Sequence, residues 1–224
     1  MEGTTHKTAV ILGATGLTGS ILLQKLIEDD RYEQIRVFTR SPLNISHKKI
    51  EEIRTDLFKL DEHKKDFKAH DVFCCIGTTR AKTPDKETYK KIDYGIPVTA
   101  ASISVEMGVE NFIVISSMGA NSKSRVFYNR TKGEMEESVL AKDIPNIYLL
   151  RPSIIGGKRT ESRPGEWFFK RLFQVLDPLF LGNLKKYRLI DAEEIANAMV
   201  WLANHEEKSG CMESDSIRKL NKML

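Results

Sequence analysis

Of 224 residues only three are cysteine. Cys74 and Cys75 are adjacent within the apolar run "DVFCCIG", and Cys211 stands alone near the end. No disulfide framework or zinc-ligand spacing can be drawn from these, and no metal site is expected. The adjacent pair reads as small core residues pointing to opposite faces of a strand. Long apolar runs are missing too: no window approaches the roughly 18 residues that a membrane-spanning helix needs. The opening "MEGTTHKTAV" carries no signal-type apolar stretch. A reducing, cytoplasmic setting without membrane attachment is the expectation. Charge of one sign is scarce: the formal net charge is +4, and lysines fall in mixed clusters such as "EHKKDFK" and "NLKKYR". These read as solvated faces, with no basic stripe for nucleic acid. Without repeats, low-complexity tracts or linkers, residues 1–224 read as one domain.

What the chain does have is alternation. Short apolar runs over 8–13, 35–40, 50–56, 71–77, 111–117 and 147–153 are separated by segments of helical period. The run "TAVILG" is continuous, as in a strand buried on both faces, whereas "IEEIRTD" alternates and belongs nearer an edge. Between them Leu17, Ile21, Leu22, Leu26 and Ile27 mark one helix. Ile92, Ile96, Ala100, Ile103 and Met107 mark another, ending at Gly108. Further helices are expected near 128–142 and over 190–204, with a short strand around Cys211 and an amphipathic end. This is the pattern of an α/β fold with a doubly wound parallel sheet and right-handed crossovers. Residues 156–187, rich in Gly, Pro and aromatics, break the rhythm as a small C-terminal, substrate-side insertion.

Between the first strand and its helix lies "GATGLTG", with Gly13, Gly16 and Gly19 at intervals of three. Strand, tight turn and helix open a βαβ unit, where glycine lets the chain turn, lets a diphosphate approach the backbone and lets the helix pack closely. Free N–H groups and the helix dipole then suit an anion. The second strand ends at Thr39 and Arg40, about twenty residues on, where an NAD-selective site would carry Asp or Glu. A guanidinium suits a 2′-phosphate through planar, charge-assisted bonds, so NADP(H) is expected over NAD(H). The alternative is a surface arginine without a ligand.

Beyond the fifth strand, which ends at Ser116 and Ser117, comes "YNRTK". Tyr128 and Lys132 stand one helical turn apart on one face. A free phenol has a pKa of roughly 10, so proton transfer near neutrality asks for about 4 kcal/mol of stabilisation of its anion. An ammonium one turn away supplies much of that, and a serine at the strand end orients a carbonyl oxygen. The competing reading is an amphipathic surface helix.

The strings "GATGLTG", "CIGTT", "ISSMGA", "YNRTK" and "RPS" resemble the atypical short-chain dehydrogenase/reductase superfamily, and "CCIGTTRAK" with "ESRPGEW" is similar to its Tat-interacting oxidoreductase-like members. The resemblance implies a Rossmann fold, NADP(H) binding and a Ser-Tyr-Lys set. It matches Gly13, Thr15, Gly16, Leu17, Thr18 and Gly19 to the phosphate loop, and Arg40 to the 2′-phosphate residue. Asp56 and Leu57 match the adenine pair, and Ile76, Gly77 and Thr78 the loop under the ribose. Pro152, Ser153, Ile154 and Ile155 match the strand end beside the carboxamide. Tyr128 and Lys132 match the catalytic pair, and Ser117 matches the serine better than Ser116. Arg163, Glu166 and Trp167 of "SRPGEW" either line a substrate pocket or form a turn around a packed tryptophan. The functional expectation is an NADPH-dependent reductase of a small-molecule carbonyl. Its competitors are an NADP(H)-binding sensor or partner-binding protein without turnover, and, less well, a nucleotide-sugar epimerase or dehydratase. A homodimer or a protein partner is left open.

Overall fold

In the computed structural model, which describes residues 6–156, 188–221 and 223, a sheet whose central strands are buried on both faces organises the chain. In chain order the strands are β1 (Lys7–Leu12), β2 (Tyr32–Thr39), β3 (Ile50–Arg54), β4 (Asp71–Cys74), β5 (Asn111–Ile115) and β6 (Asn146–Arg151), followed by β7 (Ile155–Gly156), β8 (Ile190–Asp191) and β9 (Gly210–Glu213). Seven of them form one sheet in the order β3-β2-β1-β4-β5-β6-β9, every pairing parallel. Strands β7 and β8 pair with each other. The chain steps outward from β1 to β3, then returns past β1 to begin β4. That reversal opens a crevice beyond the carboxyl ends of β1 and β4, the place where open α/β sheets take their ligands.

Helices cover both faces. On one side lie α1 (Leu17–Glu28), α5 (Ala192–Leu202) and α6 (Ser214–Asn221); on the other lie α3 (Ile96–Glu106) and α4 (Phe127–Leu140), with the short α2 (Lys86–Lys90) leading into α3. Alternate residues of each strand feed the two layers. Ile11, Val37, Phe73 and Leu150 pack with Leu22, Leu26, Ile195 and Met199. Val10, Leu12, Val72, Val114 and Leu149 pack with Leu60, Ala100, Ile103 and Met135. Complete burial of each such side chain contributes about 1.5–3 kcal/mol, which is why the continuous run of β1 sits at the centre. The alternating β3 occupies the edge, as its pattern suggests.

Several expected boundaries move. Strands β3, β4, β5 and β6 end at Arg54, Cys74, Ile115 and Arg151, two to three residues early, because the residues beyond them leave the ladder to form the crevice loops. Of the two cysteines, Cys74 lies within β4 in one core and Cys75 just past it against the other. The helix expected to run through Ile92 is interrupted by a π-helical turn, Lys91–Gly95. Residues Leu57–Phe67, not expected to be helical, make two 3-10 turns capped by Asp56 and held by Leu57, Leu60 and Phe67. Gly108 closes α3 with φ +67°, as a residue past a helix end should.

Candidate functional site

The glycine loop is shaped by close approaches. Gly13 turns with φ +87°, and a Cβ there would lie 2.9 Å from the carbonyl carbon of Cys75, so it allows the ends of β1 and β4 to meet. A Cβ on Gly19 would fall 2.1 Å from Gly13 O, so only glycine lets α1 sit against the loop. Gly16, the N-cap residue, donates its own N–H to Gly13 O at 3.0 Å and has no side chain to cap the helix. The first-turn amides of α1 have no intrahelical acceptors, and no acidic residue stands among them. Thr15 is exposed, Leu17 half-buried and Thr18 buried. The loop therefore offers bare N–H groups at the positive end of a helix, at the point where the sheet reverses, and fits a diphosphate.

The next two strands end in the same crevice. Thr39 is buried, and its hydroxyl donates to Ser41 O at 2.7 Å. Arg40 follows at the surface. The Asp56 carboxylate accepts the N–H of Phe58 at 3.0 Å, and Leu57 is a core residue, so both members of the expected adenine pair already have structural work. Past β4, Ile76 packs on the core, while Thr78 donates its N–H to Asp93 Oδ2 at 2.8 Å and accepts from the Tyr89 hydroxyl at 3.4 Å.

Tyr128 and Lys132 lie on α4 as the spacing requires. Tyr128 is 39% exposed, whereas Lys132 is 3% exposed. The Lys132 ammonium donates to Ile115 O at 3.3 Å, the last carbonyl of β5, and lies 3.0 Å from Asp93 Oδ1. Burial pushes this lysine down, but the Asp93 carboxylate, with the Tyr128 phenol behind it, outweighs burial and holds it above its ordinary value. Immediately after Ile115 come Ser116 and Ser117, both buried, whose hydroxyls have no hydrogen-bond partner among the described residues. Tyr89 meets the Tyr128 ring edge-on at 6.4 Å, and Phe127 at 5.5 Å, making an aromatic wall beside the phenol. Asp93 and Tyr89 are the residues that sequence reasoning missed. The one signal for Asp93 is an acid set beside the apolar stripe that includes Ile92 and Ile96.

Around the end of β6 the picture is mixed. Pro152 is buried and its carbonyl accepts the N–H of Met118 at 3.0 Å, joining the β5 and β6 loops. Ser153 is consumed by the protein: its N–H goes to Ser214 Oγ at 2.7 Å and its hydroxyl to Arg188 O. Ile155 pairs with Ile190 in the small sheet, and Ile154 is exposed. Arg163, Glu166 and Trp167, with nearly all of the 156–187 insertion, lie outside the described residues.

Residues 13–149 match the family model described as NAD(P)H-binding. Protein FMP52, mitochondrial, of Debaryomyces hansenii is 33% identical over 209 residues, covering 91% of this chain and 90% of that protein. Protein HTATIP2 of Rattus norvegicus is 32% identical over 172 residues, covering 75% and 71% respectively. Among solved structures, the Bordetella bronchiseptica enzyme WbmG in complex with NAD superposes with a TM-score of 0.70 at 13% identity, over 99% of this chain and 78% of that one. MoeE5 in complex with UDP-glucose and NAD gives 0.68 at 17%, over 96% and 81%. These two likenesses establish the fold alone. The expected cytoplasmic setting is overturned: the FMP52 relatives, from Debaryomyces hansenii, Meyerozyma guilliermondii and Candida albicans, are mitochondrial by name. The absence of a signal-type stretch carried that expectation, and such an absence does not decide a compartment.

Proposed function

The chain belongs to the NAD(P)H-binding family, as an atypical short-chain dehydrogenase/reductase of the Tat-interacting-protein-like group, and on that premise we propose that it is an NADPH-dependent reductase of a carbonyl compound. One observation carries the reading. A buried ammonium, Lys132, and two buried serine hydroxyls without partners among the described residues lie at the end of β5, beside a phenol that remains exposed. Buried polar atoms without partners are rare, and two in succession at the ligand-binding edge of a sheet argue for a bound oxygen.

In this reading the amides of residues 13–19 hold the diphosphate, Arg40 grips the 2′-phosphate, and Lys132 and the 76–78 loop hold the nicotinamide ribose. When bound, the reduced cofactor supplies the hydride. Ser117, with Ser116 beside it, donates a hydrogen bond to the carbonyl oxygen and fixes its direction. Tyr128 gives that oxygen its proton, and Lys132 stabilises the phenolate left behind. General-acid work of this kind contributes about 10²–10⁴-fold. The FMP52 names support a mitochondrial address for this chain as well.

The test is NADPH consumption over a panel of aldehydes and ketones. Tyr128→Phe should lower kcat at least a hundredfold while leaving NADPH affinity within about threefold. A wild-type protein that binds NADPH yet consumes none across the panel belongs instead to the sensing or partner-binding class.

A further inference from the structure

The start of α4 breaks two local rules at one residue. Val126 is the N-cap, its carbonyl accepting the Arg130 N–H at 3.0 Å, yet it has no side-chain oxygen to cap the helix. Serine, threonine, asparagine or aspartate would fill that position better. Val126 is also 58% exposed. A stretch that departs from local preference in this way marks a functional site more often than a defect. Tyr128 stands two residues on, and Ile154, 50% exposed, lies on the loop after β6, which Met118 and Pro152 join to the loop after β5. Between Val126 and Tyr128, Phe127 packs edge-on against Tyr89, with the Lys86 ammonium 5.8 Å from its ring centre.

The loops beside this apolar patch are cationic. Between β5 and α4, residues 116–126 carry Lys123 and Arg125 and no acid. Between β4 and α2, residues 75–85 carry Arg80 and Lys82 against Asp85 alone, which caps α2 by accepting the Thr88 N–H at 2.7 Å. Both loops are held to the aromatic wall. The Arg130 guanidinium donates to Ser124 O at 3.0 Å, and the Asn121 N–H to Asn129 O at 2.9 Å. The Tyr89 hydroxyl donates to Thr78 O, and the Tyr89 ring meets that of Tyr128. Arg80, Lys123 and Arg125 are exposed and have no carboxylate partner among the described residues. Elsewhere exposed lysines do find one: Lys59 pairs with Glu62 at 3.6 Å and Lys90 with Glu134 at 2.7 Å. Like charges gathered without counter-charges repel one another and draw an anion from solution.

We propose that the carbonyl substrate has an apolar body, seated on Val126 and Ile154, and an anionic group turned to Arg125 and Arg80. The inference rests on the reductase reading and adds to it the class of the substrate. Covering apolar surface is favourable in proportion to its area, and it places the carbonyl beside Tyr128. The cations fix which end of the molecule faces outward. A carboxylate and a phosphate monoester satisfy them alike.

The experiment compares p-formylhydrocinnamate with its methyl ester in the full chain with NADPH. The two share one aldehyde and one apolar body and differ in charge. Glyoxylate supplies charge without the body. At low ionic strength kcat/KM for the acid should exceed that for the ester at least about threefold, and that for glyoxylate at least about tenfold. The advantage over the ester should fall below about twofold in about 0.5 M salt and in the double variant Arg80→Gln/Arg125→Gln. A phosphonate of the same length either overtakes the carboxylate or does not; both orders support the proposal, and they tell a phosphate substrate from a carboxylate one. Val126→Ser should raise KM for acid and ester about fivefold or more, while the better cap raises Tm by about 2–4 °C. Val126→Ile should keep both KM values within about twofold of the wild type. A merely structural role cannot pair improved melting with weaker substrate use. Equal use of acid and ester, or an unmoved KM in Val126→Ser, overturns the proposal. If the wild type reduces no aldehyde, the reductase reading falls. Calorimetric binding of p-methylhydrocinnamate and its methyl ester then decides the surface by itself: preference for the acid, lost in the arginine variant, supports it, and equal or absent binding overturns it.

Discussion

Two glycines of the phosphate loop differ in a way that separates packing from binding. At Gly19 a methyl group would sit 2.1 Å from Gly13 O and 2.8 Å from its carbon, both backbone atoms, so α1 and the loop must part by about 1 Å. Overpacking of this kind costs about 1–3 kcal/mol. For a chain of this length that lowers Tm by roughly 3–10 °C. It also moves the amides that would hold a diphosphate. Each charge-assisted hydrogen bond lost costs about 1.5–3 kcal/mol, or roughly 10- to 150-fold in affinity. At Gly16 the same methyl group meets only Gly13 O, at 3.3 Å, and the residue has φ −80°, which any side chain accepts. Gly16→Ala should therefore cost the fold no more than about 1 kcal/mol, the price of a poorer N-cap. Its methyl group nonetheless occupies the space in front of the amides, where a diphosphate would lie. Calorimetric titration with NADPH should show at least a tenfold loss for both variants, and thermal melts should show a large drop for Gly19→Ala alone. If Gly16→Ala binds both pyridine dinucleotides as the wild type does, the loop serves packing and the cofactor reading is refuted.

Arg40→Ala should weaken NADPH about 10- to 100-fold, the worth of one charge-assisted phosphate contact, and NADH less than twofold; equal losses by calorimetry would remove the 2′-phosphate role. Gly133→Ala places a methyl group 2.1 Å from the backbone N of Ser122, so it should displace the loop after Ser117, lower Tm by several degrees and reduce turnover with Tyr128 and Lys132 intact; unchanged melting and kinetics would contradict that contact. The Tyr32 hydroxyl donates to Asp71 Oδ2 at 2.7 Å, and burial, then the Asp71 charge, pushes its phenol well up. The folded state thus keeps a proton that the unfolded chain releases near pH 10, so this stabilisation is complete below about pH 10 and is lost as pH rises beyond it. Tyr32→Phe should cost about 1–3 kcal/mol near neutrality, by leaving Asp71 a donor short, and less at pH 10.5; urea unfolding that gives the same difference at both values would be the contrary result.

Legibility in the sequence followed the range of each interaction. The strand–glycine–helix unit is contiguous, so its turn, its positive φ and its close helix packing could be anticipated from Gly13, Gly16 and Gly19. The edge place of β3 showed in its alternation, and the face shared by Tyr128 and Lys132 showed in their spacing. Asp93 was invisible because its partners, Thr78 and Lys132, lie 15 and 39 residues away, and the turn that aims it inward leaves no local pattern. The contacts of Ser153 were hidden for the same reason. Its hydroxyl and N–H are claimed by Arg188 and by Ser214, residues far along the chain.

Two buried carboxylates mark opposite ends of the sheet, and their contrast locates the chemistry. Asp71, 0% exposed at the amino end of β4, is met from three sides by Lys7 Nζ, Tyr32 Oη and Asn111 Nδ2, each at 2.7 Å. Burial pushes it up, and those three donors pull it back. Every partner stands at the start of a strand of the same sheet, so this network serves as a polar clasp for β1, β2, β4 and β5. Asp93, equally buried, accepts the Thr78 N–H at 2.8 Å and lies 3.0 Å from Lys132 Nζ, whereas the Ser116 and Ser117 hydroxyls past the end of β5 have no partner among the described residues. Leaving two serine hydroxyls without partners among the described residues at the carboxyl end costs stability that a bound ligand would return. The asymmetry between the two ends is therefore the physical reason to seek the cofactor and its substrate beyond β4 and β5.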